Sequence, residues 1–135
     1  MLKILRQVQL FANLGDEQLY WLSQEGSEVW LNPGDLLFIE GNLVENLDVL
    51  LAGEVEIVKH VDGQEIVLTI FKAGTFSYEM PLLASKNYIV SARALSKCHL
   101  LRFKADTFPK ILIKCFPIAN VILCAFAYVS KILGQ

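Results

Sequence analysis

Residues 53–71 read Gly53-Glu54-Val55-Glu56-Ile57-Val58-Lys59-His60-Val61-Asp62-Gly63-Gln64-Glu65-Ile66-Val67-Leu68-Thr69-Ile70-Phe71. Two β-rich runs, Glu54–Val61 and Glu65–Phe71, flank the pair Asp62-Gly63. An Asp-Gly pair in that setting predicts a two-residue hairpin, because both turn residues must take positive φ and these residue types tolerate it. Glu54, Glu56, Lys59 and Asp62 then form its solvent face. The middle of the chain is therefore β.

Working outward, the same reading repeats. Val29–Leu31 stops at Asn32-Pro33-Gly34-Asp35, and Leu36–Ile39 stops at Glu40-Gly41-Asn42, both turns by composition. Leu47–Leu51 ends before Gly53, and Ile89–Leu95 and Cys98–Phe103 flank Ser96-Lys97. The ends of the chain change period. Leu2, Leu5, Val8 and Leu10 precede a helix marked by Leu19, Trp21 and Leu22 and ending near Gly26. After the strands, Asp106 caps a short helix through Lys114, with Pro109 in its first turn, where no N–H is lost. Pro117 opens a second helix to about Leu133. The expected organisation is one domain over 1–135: N-terminal helices (1–26), a β-barrel (27–104) and C-terminal helices (105–135).

Composition narrows the function. Of 135 residues, 54% are hydrophobic and 19% charged, with mean hydropathy +0.45, which excludes intrinsic disorder and supports a full core. Twelve basic residues against fourteen acidic ones, and a pI near 5.6, lack the positive excess that drives binding to a phosphate backbone. Nucleic acid is not an expected partner. The N-terminus shows no secretory signal. Cys98, Cys115 and Cys124 are an odd number without metal or redox spacing, and read as reduced core thiols in a cytoplasm. His60 and His99 have no acidic or cysteine neighbour in sequence that makes a ligand set, so no metal site is expected. Cys98 and His99 are adjacent in a strand and point to opposite faces, which argues against a nucleophile and base and against an enzyme.

The motifs carry a resemblance. Phe11-Ala12-Asn13-Leu14, Pro33-Gly34-Asp35, Glu40-Gly41, Leu51-Ala52-Gly53-Glu54-Val55, Asp62-Gly63, Ala73-Gly74-Thr75-Phe76, Glu79-Met80-Pro81-Leu82-Leu83 and Ser91-Ala92-Arg93-Ala94-Leu95 follow one another in the order seen in cyclic nucleotide-binding domains. Nearly the whole chain resembles the sensor domain of catabolite-activator-type transcription factors and of cyclic-nucleotide-regulated kinases and channels. The resemblance implies an eight-stranded jelly-roll β-barrel with flanking helices, mainly β overall.

It also implies a ligand site, and there the chain departs from the pattern. The family's phosphate-binding cassette has a Phe-Gly-Glu entry, a short apolar helix, then Arg, two small residues and Ser or Thr. Here the entry is Ser77-Tyr78-Glu79, and the helix is Met80 to Ala84, which puts Leu82 and Leu83 in the pocket. The phosphate-gripping Arg falls on Tyr88, and the small residues fall on Ile89 and Val90. Glu79 matches the ribose-binding Glu, and Ser91 the hydroxyl residue. An Arg fork on a phosphate contributes about 1.5–3 kcal/mol, so its loss weakens binding roughly ten- to hundredfold. Cyclic AMP and cyclic GMP are therefore expected to bind weakly or not at all. Tyr78 and Tyr88 either plug the pocket, or Tyr78 turns outward and the site stays open. Lys86 is the nearest substitute cation, and Arg93 a more distant one.

Residues 117–133 contain a single charge, Lys131, and so lack the polar face of a surface helix. Ile118, Ile122, Ala125, Val129 and Ile132 alternate steps of four and three, the spacing of a helical seam. In catabolite-activator-like proteins the corresponding helix makes the homodimer, and the resemblance implies that use here. Packing on the barrel is one alternative. A membrane span is another, although the uncharged run from Cys115 to Ser130 is short of the ~20 residues required. The sequence thus points to a stand-alone regulatory or sensor module without a bound cofactor, or to a ligand-free interaction or dimerisation module that keeps the same fold.

Overall fold

The computed structural model describes residues 1–8, 11–73 and 87–118. Among these residues, helix α1 (Leu2–Arg6) and helix α2 (Asp16–Glu25) precede seven strands: β1 (Ser27–Leu31), β2 (Leu36–Phe38), β3 (Asn46–Ala52), β4 (Glu54–Val61), β5 (Gln64–Lys72), β6 (Ser91–Ala94) and β7 (Cys98–Lys104). A 3-10 turn, Ala105–Thr107, leads into helix α3 (Phe108–Lys114). Gln18 accepts the Gly15 N–H at 2.9 Å, and Asp16 and Glu17 stand in the first turn of α2, where the helix dipole favours acids. The cap of α3 differs from expectation. Asp106 lies in the 3-10 turn, Thr107 occupies the cap position, and neither the turn nor α3 has a side-chain cap bond.

The strands form two antiparallel sheets, in the orders β1-β7-β3 and β2-β6-β4-β5. This corrects the expected eight-stranded jelly-roll β-barrel in one respect, closure. Closure requires each edge strand to share a ladder with the next, and no ladder joins one sheet to the other among the described residues. The sheets instead face each other and share a core. Leu50, Cys98 and Leu100 from the first meet Phe38, Val55, Ile57, Ala92 and Ala94 from the second.

The opposite face of the three-stranded sheet carries Leu47, Val49, Leu51, Leu101 and Phe103. These pack in a second cluster with Leu5, Val8, Phe11, Leu19, Leu22, Ile111, Cys115 and Ile118. Strand β3 is thus covered on both faces, which is why it reads as an apolar run broken by Asp48 alone rather than as an alternating one.

The hairpin of β4 and β5 forms as read: Asp62 has φ 53° and Gly63 has φ 77°. Strand β6, Ser91–Ala94, is shorter than the expected Ile89–Leu95, and just before it the Tyr88 backbone pairs with the loop after β2. No described helix is long and apolar enough to cross a membrane.

Candidate ligand site

Of the residues that the sequence marked for the pocket, Tyr88 and Ser91 are described; Tyr78, Glu79, Leu82, Leu83 and Lys86 lie outside the described residues. Tyr88 enters between the sheets. Its ring stacks on Phe38 with centroids 4.1 Å apart and planes inclined by 8°. Its hydroxyl donates to the Asn46 carbonyl at 3.0 Å. A phenol has one proton to give, so the only side-chain donor at position 88 is committed to the backbone of β3. Burial, with the Asp48 charge as a second cause, pushes the hydroxyl up to about 12, so it stays neutral.

Ser91 sits on a different face. In β6, Ala92 and Ala94 point into the core between the sheets, so Ser91 and Arg93 point the other way. Ser91 is 4% exposed, and its Oγ accepts the Glu40 N–H at 2.8 Å. The described residues therefore do not bring Tyr88 and Ser91 together.

Nearby cations are also engaged. Arg93 is held by Glu56 and Glu65 across the four-stranded sheet, which draws Glu65 below the usual carboxylate range. Lys59 donates to Glu40 at 2.7 Å and to the Ile89 carbonyl at 2.8 Å, and this hydrogen bond lowers the Glu40 pKa as well.

A charged pair that the sequence reading missed lies next to Tyr88. Arg102 donates to Asp48 through Nε (2.7 Å) and Nη2 (2.9 Å), and Asp48 is 4% exposed. The signal was present, because Asp48 interrupts the apolar run Leu47–Leu51 and a buried carboxylate needs a partner. Two cross-strand pairs further along, Asn46 faces Lys104. There the strands open into a cleft of about 390 Å³ lined by Glu45, Asn46, Lys104, Ala105 and Asp106. Asp48–Arg102 and Tyr88 thus place polar groups at one end of an otherwise apolar interior.

Both histidines find acidic partners from other parts of the chain, unlike the expectation from neighbours in sequence. His99 Nε2 is 2.8 Å from Glu28, under a stacked Trp30 ring, and His60 lies 3.8 Å from Glu40 and 4.0 Å from Glu65. No group of three or more potential metal ligands occurs among the described residues. Cys98 belongs to the core between the sheets, on the face opposite His99. Burial raises its thiol and pushes that of Cys115 up to about 11, away from the range of a nucleophile.

Of the proposed helical seam, Ile118 is 2% exposed within the single chain, in the cluster that covers α1 and α2. It is already covered without a partner. Ile122, Ala125, Val129 and Ile132 lie outside the described residues.

Comparison with known proteins agrees with this architecture. The potassium channel AKT1 of Oryza sativa subsp. indica is 22% identical over 108 residues, which is 80% of this chain and 12% of the channel, so the chain spans about one eighth of that relative. The sensor domain of the transcriptional regulator DNR from Pseudomonas aeruginosa superposes with a TM-score of 0.81 at 24% identity, covering 98% of this chain and 91% of that one. The regulatory subunit of a cAMP-independent protein kinase A from Trypanosoma brucei, solved as a triple mutant bound to cAMP, gives 0.79 at 20% identity, covering 96% and 49%. The sequence model of the cyclic nucleotide-binding domain matches residues 28–115, the stretch from β1 to the end of α3, and the chain belongs to that family.

Proposed function

We propose that this chain is a regulatory sensor module of the cyclic nucleotide-binding fold in which cyclic AMP and cyclic GMP bind weakly or not at all. The observation that carries the reading is Tyr88. At the position that the resemblance gives to the phosphate-gripping Arg, a neutral ring packs on Phe38 and spends its one donor on Asn46. A phosphate brought there receives no fork of donors from residue 88, and the neighbouring Arg102 fork is already taken by Asp48; each lost factor of ten corresponds to about 1.4 kcal/mol. Among the described residues the nearby cations Arg102, Lys59 and Arg93 are already paired. The trypanosome kinase subunit supports the reading by analogy: it is described as cAMP-independent, and the form bound to cAMP carries an introduced arginine among three substitutions.

The occupied position 88 also favours the ligand-free alternative, an interaction module that retains the fold. If a ligand enters, its class is a small molecule without phosphate. Free thiols at Cys98 and Cys115 fit a reducing compartment such as the cytoplasm. Calorimetric titration with both cyclic nucleotides tests the reading. A dissociation constant below about 10 μM, near -7 kcal/mol, overturns it. Tyr88→Arg combined with Tyr78→Gly is expected to gain measurable binding. No gain in a folded double variant would mean that position 88 does not stand in for the phosphate Arg, or that Ile89 and Val90 also obstruct the site.

We further propose a homodimer along the C-terminal apolar stretch through Ile122, Ala125, Val129 and Ile132, with Ile118 excluded because its own chain covers it. Light scattering should give twice the chain mass of 15.2 kDa, and Ile122→Glu with Val129→Glu should return it to a monomer. A monodisperse monomer of the unmodified protein removes the dimer.

A further inference from the structure

The segment Asn87–Ser91, which leads into β6, is fastened to the loop after β2 by groups of the chain itself. Asn87 bridges to Leu43, and its side-chain amide donates to the Gly41 carbonyl at 2.9 Å. The Tyr88 N–H donates to the Asn42 carbonyl at 2.9 Å, and the Gly41 N–H donates back to the Tyr88 carbonyl at 2.8 Å. Gly41 has φ +91°, a conformation that side-chain-bearing residues rarely adopt, so the return bond depends on glycine there.

A charged clamp closes over this pairing. Lys59 reaches from β4 and donates to both the Ile89 carbonyl and Glu40 Oε2. Glu40 Oε1 accepts the His60 N–H at 3.2 Å, and the Glu40 N–H is taken by Ser91 Oγ. The ammonium therefore ties the exit segment, the β2 loop and β4 together. Hydrogen bonds with a charged partner are about twice as strong as neutral ones. In a site that grips phosphate, a bound anion can supply the order of this segment. Here the ordering groups are covalently part of the chain.

We propose that Lys59 and Glu40 form an intramolecular latch that fixes residues 87–91 in the absence of any ligand, so that the module holds one arrangement at all cyclic nucleotide concentrations. Lys59 is a positioning residue, acting through the Ile89 carbonyl and Glu40. The proposal rests on the reading that the phosphate grip is lost.

Residue-resolved amide hydrogen exchange on the full chain, without ligand, tests it. The Gly41 and Tyr88 amides should exchange at least about 100-fold more slowly than in an unstructured peptide. Lys59→Met should speed both about tenfold, while amides of β3 and β7 keep their rates. Glu40→Gln should act in the same direction, which covers failure of the first variant to fold. Unprotected Gly41 and Tyr88 amides in the free protein overturn the latch, as does protection that appears only with saturating cyclic AMP. A uniform acceleration that includes β3 and β7 also overturns it, since that reports global destabilisation. The two readings fail separately. Tight cyclic AMP binding to a protein whose Gly41 and Tyr88 are already protected removes the weak-binding reading and leaves the latch. Absent binding with unprotected amides does the reverse.

Discussion

The Tyr88 hydroxyl donates to the Asn46 carbonyl across the interior between the two sheets, 42 residues away in sequence, while the Tyr88 ring lies flat on Phe38. One side chain thus joins the exit of the cassette region to β2 and β3.

This contact predicts an alkaline signature. The fold favours the neutral phenol, whose folded pKa is raised from 10 to about 12. Its contribution is therefore complete below pH 10 and lost as pH climbs towards 12. Of the four tyrosines, one should ionise late in the ultraviolet phenolate titration, and Tyr88→Phe should abolish that late step. The same variant should lower stability by about 1 kcal/mol, the net contribution of one hydrogen bond, because the stacked ring remains. A late step that survives in Tyr88→Phe would assign it to another tyrosine.

What could be read from the chain depended on how local the determinant was. Asp62-Gly63 specified its hairpin because the required positive φ belongs to two adjacent residues. The departure at Tyr88 was legible through the motif pattern, but its partners were not. Phe38 and Asn46 reach it only through the register of β2 with β6 and of β3 with β7. The same holds for Asp48 and Arg102, 54 positions apart and opposite each other in that register. The cap at Asp106 failed for a local reason: a 3-10 turn intervenes and moves the helix start to Phe108.

Two glycines with positive φ separate strain from crowding. At Gly63 (φ +77°) a Cβ would meet nothing within 4 Å, so Gly63→Ala should cost about 1 kcal/mol of backbone strain. At Gly53 (φ +99°) a Cβ would collide with the Lys97 carbonyl and with Cys98, whose backbone cannot swing away. Gly53→Ala should therefore cost about 3 kcal/mol or more. Urea unfolding midpoints compare them directly, and equal shifts would remove the close-approach argument at Gly53.

On the acid side, Glu40 and Glu65 are both held below the ordinary glutamate value, chiefly by hydrogen bonds from Lys59 and Arg93. A depressed folded pKa adds stability above the unfolded value of 4.5 that is lost as pH falls through the folded value. Arg93→Met should therefore flatten the fall of the urea midpoint between about pH 5 and about pH 3. An unchanged slope would show that Glu65 does not contribute to it.

Asp48 and Arg102 supply the last test. A carboxylate 4% exposed, met by two donors of one guanidinium, is well satisfied as a pair, and either partner alone is not. Asp48→Ala leaves a cation between the sheets beside the Tyr88 ring, at an expected cost of about 2–4 kcal/mol, moderated because the Arg102 side chain is 29% exposed. Adding Arg102→Met removes the orphaned charge and keeps an apolar stem, so the double variant should be more stable than Asp48→Ala alone. A urea denaturation cycle over the four proteins measures the coupling. If the double variant instead loses the sum of the two single costs, the pair acts through packing rather than mutual neutralisation, and the polar end of the interior has no electrostatic reason to persist.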